Sequence, residues 1–404
     1  MKPIYIALAL VSVSLPTYAQ DASNKDWGQN LLSFTRELPQ VQSFNERLSA
    51  AYYDRTVQSA VLYNPTVSLG VANDETTNFQ IGISQTLDLS GKRQVRRKFG
   101  AAQARLAEYS HEVALESYLA DVLIGLSEYD AAKQQLVLAE KHASSLRTLS
   151  DLTKKRLENG DLGKADGVLV TLALSSAYPA IAENRTNSIE TEARLKALLG
   201  SDFAKFTRLP DREIWRDSGA IDTDSLVLEV PKVREAYERL QVAKASTGIA
   251  RKNRKADPTV GVVAGREQGA ALVGVNVSLP LNISKSFKAS EQAANKRSLA
   301  AELNYRQIEQ AMRAELEGTL LAWRESTNQL DLYNKFTGSA PTDGLEILKN
   351  RWSLGDMSTA EFLLALDRWR ESIAAGIKLQ ALQRLSLITW LRTSGQVKDW
   401  LSRH

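Results

Sequence analysis

Hydrophobic and polar residues alternate with a period of two in four short segments of the chain. In the first pair of segments, residues 66–71 alternate between apolar and small or polar, and the alternation resumes at 79–89 after a polar run. The second pair, at 260–262 and 273–281, lies on either side of another polar turn. A period of two indicates β-strands of about ten residues. The sequence therefore predicts two β-hairpins, at about residues 64–90 and 257–282.

Helical periodicity follows each predicted hairpin. From 92 to 158, apolar residues recur in steps of three and four, with many alanines, as in a coiled-coil seam. A helix of this length would span about 100 Å. A returning helix is predicted at about 165–199, kinked or divided at Pro179. After the second hairpin we expect helices over 286–354 and 359–392, with an interruption at Gly338-Ser339-Ala340-Pro341.

The two halves of the chain share three short segments in the same order. RLENGDLGKAD at 156–166 matches RWSLGDMSTAE at 351–361, 195 positions later. Asn64-Pro65 matches Asp257-Pro258 at an offset of 193, and 82–89 matches 274–281 at an offset of 192. Nearly constant offsets indicate a tandem duplication. The expected organisation is a first repeat at 20–200, a linker or equatorial segment at 201–226 and a second repeat at 227–404.

The first residues and the composition limit where such a chain can work. Lys2, the apolar run 4–15 and the small residues before Gln20 predict a secretory signal peptide at 1–19. The chain has no cysteine, so we expect neither disulfides, nor thiolate metal sites, nor an N-terminal lipid anchor. No apolar run after residue 19 suggests a membrane-spanning helix, so membrane residence would depend on strands.

Residues for catalysis or cofactor binding are not apparent. The formal net charge of +4 is spread along the chain and gives no reason to expect nucleic acid. His111, His142 and His404 are far apart, and Met312 and Met357 are too few for a copper-binding thioether path. No phosphate-binding loop appears. We therefore expect no enzyme, no cofactor and no resident metal, and any energy for transport would come from a partner.

Three motifs resemble those of a known family. The chain resembles the TolC-type outer-membrane efflux proteins in its order of hairpin, long helix, glycine turn and returning helix, which occurs twice. The motifs that carry the resemblance are QTLDLSGKR at 85–93, ARLKALLG at 193–200 and the helix break at Pro341. They are most similar to the CzcC-like branch, which serves heavy-metal cation efflux. The resemblance covers nearly the whole chain after residue 19.

The resemblance implies an α+β membrane protein that is internally duplicated. Each of three identical chains would contribute two β-hairpins to one twelve-stranded outer-membrane β-barrel, continued by a long coiled-coil α-helical barrel in the periplasm. It implies location in the outer membrane of a Gram-negative bacterium. The implied partners are a periplasmic adaptor protein and an inner-membrane RND-type pump, with the chain itself conducting substrate passively.

The two matching turns, at 159–164 and 355–358, would then lie at the periplasmic tip, where the adaptor docks. Independently of the resemblance, Gly160 and Gly355 suit the left-handed residue that ends a helix. Ser358 with Glu361 forms a capping box, of which Gly163 and Asp166 are a weaker version. The alternative is that these residues only build a helix reversal, which is compatible with docking. The docking residues expected are Arg156, Gly160, Asp161, Leu162, Arg351, Gly355, Asp356 and Met357.

Two further surfaces carry charge. Glu361 matches a position where the family has an aspartate in the ring that constricts the tunnel, so Glu361 and, less clearly, Asp166 are candidate gate residues. The family's next aspartate falls on Leu364 here. A basic cluster begins the long helix and would face anionic headgroups or, alternatively, form a solvated helix face. Its members are Lys92, Arg93, Arg96, Arg97 and Lys98.

Other functions remain open at the level of sequence. The cargo could be an organic compound, or the chain could be the exit duct of a type I secretion machine. In a different class, the hairpins could belong to a soluble sheet in a periplasmic coiled-coil scaffold. Fractionation with outer membranes as a trimer would distinguish the duct from the scaffold.

Overall fold

The computed structural model describes residues 26–73, 77–210, 212–216, 222–267, 269–337 and 340–404. The predicted signal peptide at 1–19 lies outside these residues, as do parts of the predicted turn at 73–78 and of the segment 201–226. Gly338 and Ser339 of the predicted helix interruption lie outside them as well.

Four strands form one antiparallel sheet in the order β1-β2-β3-β4. Each hairpin pairs its own strands, and β2 also pairs with β3, with Ile83 opposite Val262, so the two hairpins join into one sheet. β1 and β4 are its edges. The strands are β1 Thr66–Asn73, β2 Thr77–Thr86, β3 Thr259–Glu267 and β4 Ala270–Ser278.

Long helices leave the sheet in both halves of the chain. The first half contains α1 Trp27–Arg36, α2 Pro39–Ser59, α3 Lys92–Glu158 and α4 Lys164–Leu199. Pro39 begins α2, where its missing N–H costs nothing because the first helical N–H groups have no partner in any case. Pro179 lies inside α4, which is continuous, so the predicted alternative of a helix divided at this residue is wrong.

The second half repeats this order of elements after the short helix α5 Thr223–Leu226. One helix precedes the second hairpin and three follow it, with a small helix at the end. The helices are α6 Pro231–Asn253, α7 Lys285–Thr337, α8 Ala340–Leu354, α9 Thr359–Ser394 and α10 Val397–Arg403. α3 packs against α2, α4, α6 and α9, while α7 packs against α6 and α9.

The segment predicted as a linker or equatorial segment packs into the main core. It forms two 3₁₀ turns, Gly200–Phe206 and Arg212–Trp215, before α5. Phe203, Phe206 and Trp215 are buried there. The indole of Trp215 donates to the carbonyl of Pro210 at 3.2 Å, and Gln383 of α9 donates to the carbonyl of Trp215 at 2.6 Å. Helical periodicity could not reveal this segment, because isolated aromatic residues hold it in place.

Two hydrophobic cores lie at different places along the helices. The larger surrounds residues 118–126 of α3 and includes α1, α10 and the 3₁₀ turns. The smaller lies near the ends of α3 and α8, where four helices meet. Its members are Ala143, Leu146, Leu149, Val170, Ala177, Trp352, Phe362 and Leu366.

One helical stretch, Lys164–Phe206, contains a window that is long and apolar enough to cross a membrane by length and composition. The sequence analysis expected no such segment, because it looked for uninterrupted apolar runs. Only 11% of the window is buried in the chain, and Val168, Leu169 and Leu172 are exposed. This face of α4 is therefore an apolar surface without a cover inside one chain.

Candidate functional site: the sheet and the two helix turns

One face of the sheet is apolar and uncovered. Residues paired across neighbouring strands share a face, so the apolar positions of all four strands lie together. Leu69 is 73% exposed and Val273 is 82% exposed, values that core residues never have. The face consists of Val67, Leu69, Val71, Phe79, Ile81, Ile83, Val260, Val262, Ala264, Val273, Val275 and Val277.

The opposite face consists mainly of small and polar residues and is crowded. A Cβ placed on Gly261 would collide with the side-chain oxygen of Asn276 and would lie 2.9 Å from the Cβ of Ser84. A Cβ on Gly82 would lie 2.7 Å from the Ser68 hydroxyl. Crowding on one face with open space on the other is expected of a curved sheet whose concave side carries the small residues.

A buried ion pair joins the base of the sheet to the long helix. Lys92, at the start of α3, lies 2.8 Å from the carboxylate of Asp257, just before β3. Tyr63 and Ser90 also donate to this carboxylate, each at 2.8 Å. Burial alone would raise the pKa of Asp257, but the hydrogen bonds from Lys92, Tyr63 and Ser90 outweigh it and hold the pKa below its usual value. The two halves of the chain are thus fixed to each other where sheet and helices meet.

The predicted basic cluster is divided by this arrangement. Lys92 is buried in the ion pair, so it does not fit the expected contact with headgroups. Arg93 is exposed, although its Nε donates to the carbonyl of Ser59 at 3.1 Å. Arg96 is half-buried, and Arg97 and Lys98 are exposed. Asp88 begins the helix by accepting hydrogen bonds from the backbone N–H groups of Lys92 and Arg93, both at 2.7 Å.

The first helix turn follows α3. Gly160 has φ of +83°, the left-handed conformation expected of it. The N–H of Gly160 donates to the carbonyl of Leu157 at 3.1 Å, and that of Asp161 to the carbonyl of Arg156 at 2.8 Å. The side chain of Asp166 accepts from the N–H of Gly163 at 3.2 Å, and since Gly163 has no side chain, the N–H of Asp166 donates to the backbone carbonyl of Gly163 instead, at 3.0 Å. This is the weaker cap that the sequence predicts.

The second helix turn, after α8, has nearly the same geometry. Gly355 also has φ of +83°, and the N–H of Asp356 donates to the carbonyl of Arg351 at 3.0 Å. Glu361 accepts from the N–H of Ser358 at 2.9 Å, and its own N–H donates to the hydroxyl of Ser358 at 3.2 Å, completing the capping box. The backbone N–H of Ser358 and its hydroxyl, which lies 2.8 Å from the carboxylate, both donate to Glu361 and lower its pKa, so the carboxylate stays ionised.

Arg156 joins the two turns. Its guanidinium lies over the ring of Trp352, 4.7 Å from the centroid, and donates to the carbonyl of Trp352 at 3.4 Å and to that of Ser353. Trp352 is buried, stacks on Phe362 and approaches the hydroxyl of Thr359 at 3.4 Å. Sequence reasoning did not assign Trp352 to the site. A tryptophan directly after the Arg of the repeated motif was the signal available.

The remaining predicted turn residues differ in how accessible they are. Leu162 and Met357 pack against the small core, so each turn has an apolar side facing inward. Asp161, Arg351 and Asp356 are exposed. Glu361 is exposed too and Asp166 is half-buried, each within its own turn, while Leu364 is 61% exposed.

Comparison with known proteins identifies the first half of the chain. Residues 36–201 match the family model described as "Outer membrane efflux protein". These residues belong to the outer membrane efflux protein family. They include α2, the first hairpin, α3 and α4 with its turn. Sequence comparison with curated proteins found no match.

Solved structures extend the likeness to the whole outer membrane efflux protein fold. The CmeC outer membrane channel of Campylobacter jejuni matches with a TM-score of 0.77 and 15% identity, covering 98% of this chain and 94% of that one. The open state of the Neisseria gonorrhoeae MtrE outer membrane channel matches with a TM-score of 0.74 and 14% sequence identity, covering 92% of this chain and 89% of that one. A membrane protein from Pseudomonas aeruginosa matches with a TM-score of 0.74 and 18% sequence identity, covering 98% of this chain and 97% of that one. At these identities the chain shares their fold.

A cluster of metal ligands is not found in the part of the chain that the structure describes. No group of three or more His, Cys, Asp or Glu residues there could hold a metal ion. His142 is half-buried, and burial lowers its pKa. The family is one of efflux proteins and not of enzymes.

Glu116 is a buried carboxylate that sequence reasoning missed. It lies in the middle of α3 and accepts from the N–H of Val397 at 2.7 Å and from that of Lys398 at 3.2 Å, at the start of α10. Burial raises its pKa to about 7, although these two hydrogen bonds favour the charged form. Glu116 therefore attaches α10 to α3.

Proposed function

We propose that this chain is the outer-membrane channel of a tripartite efflux system, which passively conducts its substrate from a periplasmic adaptor and an inner-membrane RND-type pump to the outside. The observation that carries the proposal is the uncovered apolar face of the sheet, attached directly to helices of up to 67 residues. Lipid covers such a face, whereas water would leave about a dozen large apolar side chains exposed. A soluble scaffold has no comparable use for it.

The sheet supports assembly as a homotrimer. A chain contributes four strands, too few to close a barrel around an aqueous lumen. β1 and β4 each pair with one neighbour in the chain, so each has an edge that another chain can use. Three chains would give twelve strands with no edge left. The crowded face would then line the barrel, and the apolar face would contact lipid.

The helices would form the periplasmic part of the channel. α3 and α4, and α7 to α9, run away from the sheet and reverse at the two turns, which would lie at its periplasmic tip. There the adaptor would dock on exposed residues such as Asp161 and Asp356. Glu361, ionised and exposed, would line the aperture, with Asp166 as a second candidate. Arg93, Arg97 and Lys98, close to the base of the sheet, would contact anionic headgroups.

Heavy-metal cations are the proposed cargo. Support comes from the junction at 85–93 and from the helix end at 193–200, which resemble the cation-efflux branch. In this structure the junction residues Asp88 and Lys92 hold sheet and helix together. Selectivity would reside in the pump and the adaptor.

Deletion of the gene in its host tests both levels of the proposal. Growth is compared across zinc, cobalt, nickel, cadmium, copper and silver salts and across a panel of dyes and antibiotics, with the wild-type gene restored as the control. We expect sensitivity confined to certain metals. Sensitivity to the organic panel alone would overturn the cargo and keep the channel. No change on either panel would count against an efflux role.

A further inference from the structure

The end of α8 is capped by a side chain from the other half of the chain. Helix C-termini leave carbonyl groups without helical partners. At the end of α8, Arg156 donates to two of them, those of Trp352 and Ser353. A guanidinium at this position also interacts favourably with the negative end of the helix dipole. The first turn thus holds the second through one cation.

The reverse contact, in which an arginine near the end of α8 would cap the end of α3, is not made among the described residues of the chain. Arg351 occupies the position of Arg156, 195 residues later, and Leu157 and Glu158 stand where Trp352 and Ser353 do. Arg351 is exposed, and no hydrogen bond of its guanidinium is found among the residues that the structure describes, although its charge interacts with the nearby carboxylate of Glu361. Within the same residues, the carbonyl of Glu158 accepts no hydrogen bond. Among the described residues, the donor and the acceptor of the corresponding contact therefore both have hydrogen-bonding capacity left.

The order of the strands shows how a second copy would bring them together. Within the chain, the first hairpin meets the second through β2 and β3. Pairing of β4 with β1 of a second copy would place the second half of one chain beside the first half of the next in the same relation. We propose that Arg351 of one copy then donates to the carbonyls of Leu157 and Glu158 of the second copy.

The partner on this surface is thus another copy of this chain, and the inference rests on the trimer of the proposed function. The proposed contact between copies would lack the stacking of a guanidinium on an aromatic ring that the contact within a copy has. Arg156 stacks on the ring of Trp352, whereas Arg351 would meet the aliphatic side chain of Leu157. The turns would therefore be held more weakly between copies than within them.

Cross-linking tests the contact directly, because the chain has no cysteine of its own. The variant Arg351→Cys/Glu158→Cys, in the full chain purified from membranes, is treated with a bifunctional maleimide whose reach matches an arginine side chain. We expect covalent dimers and trimers on a denaturing gel. The matched control, Arg156→Cys/Ser353→Cys, replaces the pair already in contact within a chain and is expected to cross-link without leaving the monomer position.

The outcomes separate this contact from the proposed function. Trimers in detergent that give only monomers on the gel, while the control pair reacts, would overturn the contact and leave the channel standing. Absence of trimers before cross-linking would overturn both. A second measurement uses side-chain chemistry: Arg351→Ala should lower the temperature at which trimers dissociate, and Arg351→Lys should lower it less. Equal dissociation temperatures for Arg351→Ala and the wild type would contradict a role for the guanidinium.

Discussion

At the scale of residues, the buried charges lie where separate parts of the chain are joined. The pair formed by Asp257 and Lys92 connects the two halves at the base of the sheet, and Glu116 connects α10 to α3. Sequence reasoning predicted that Lys92 contacts lipid headgroups, as part of a run of basic residues. Such a run does not reveal which of its members pairs with a carboxylate 165 positions away. Asp257 was visible only as part of a repeated Asx-Pro motif.

Removing one member of the pair should be more harmful than removing both. Asp257→Ala leaves Lys92 buried without a counter-ion, for which we expect a loss of about 3 kcal/mol in the free energy of unfolding. Asp257→Ala/Lys92→Met should recover part of it. Denaturant unfolding in detergent measures both, with Asp54→Ala, an exposed carboxylate on α2, as the control. A double variant no more stable than the single one would contradict the argument.

Glu116 should make stability depend on pH in an unusual direction. Because its pKa is raised from 4.5 to about 7, the folded protein keeps a proton that the unfolded chain releases. This contribution is fully present below pH 4.5 and is lost as the pH rises to about 7. It amounts to a loss on the order of 3 kcal/mol.

The contribution is isolated by comparing the wild type with Glu116→Gln. The three histidines, whose pKa values are lowered by burial, act in the opposite direction but are common to both proteins. Unfolding at about pH 5 and about pH 7.5 should show a larger decrease for the wild type. The same decrease in both would mean that Glu116 is ionised throughout.

At the scale of elements, hydrophobic periodicity predicted the regular parts of the fold and failed where periodicity is absent. The alternation at 66–71 predicts a strand, and the apolar seam after Lys92 predicts a long helix. These patterns are visible in the sequence because each strand and each helix has one apolar face and one polar face. The segment around Trp215 was predicted only as a linker or equatorial segment, because it has no periodic apolar face to detect. Likewise, the contact of Arg156 with Trp352 joins residues 196 positions apart and depends on tertiary packing.

The turns offer a prediction that separates their conformation from docking. Around Gly160 and Gly355 no atom lies within 4 Å of an added Cβ, so a side chain has room and the cost is that of the left-handed backbone, about 1 to 2 kcal/mol each. The double variant Gly160→Leu/Gly355→Leu should therefore fold as a trimer in the membrane but fail to export.

The control for this variant is Gly318→Leu, an exposed glycine within α7 that also has open space around it. It should retain export, because a helical glycine has no need of a left-handed conformation. Export is measured as metal tolerance restored to the deletion strain. Unchanged export in the double variant would contradict docking at the turns.

At the scale of the whole molecule, the chain leaves several surfaces without a cover. Among the described residues, no other part of the chain covers the apolar sheet face, the two sheet edges or the apolar face of α4. Lipid would cover the first, and further copies would pair with the edges. The order of elements could be predicted from the sequence. The number of copies could not, because it depends on how many strands are needed to close a barrel, and no local sequence pattern reports that number.

The central claim, a trimeric channel in the outer membrane, is tested most directly by extracting the protein from outer membranes within native lipid discs and measuring its mass. The account predicts a particle that contains three chains, where the full sequence of one chain has a mass of 44.6 kDa. Recovery of the protein in the soluble fraction after osmotic shock, or of discs that hold a single chain, would contradict it.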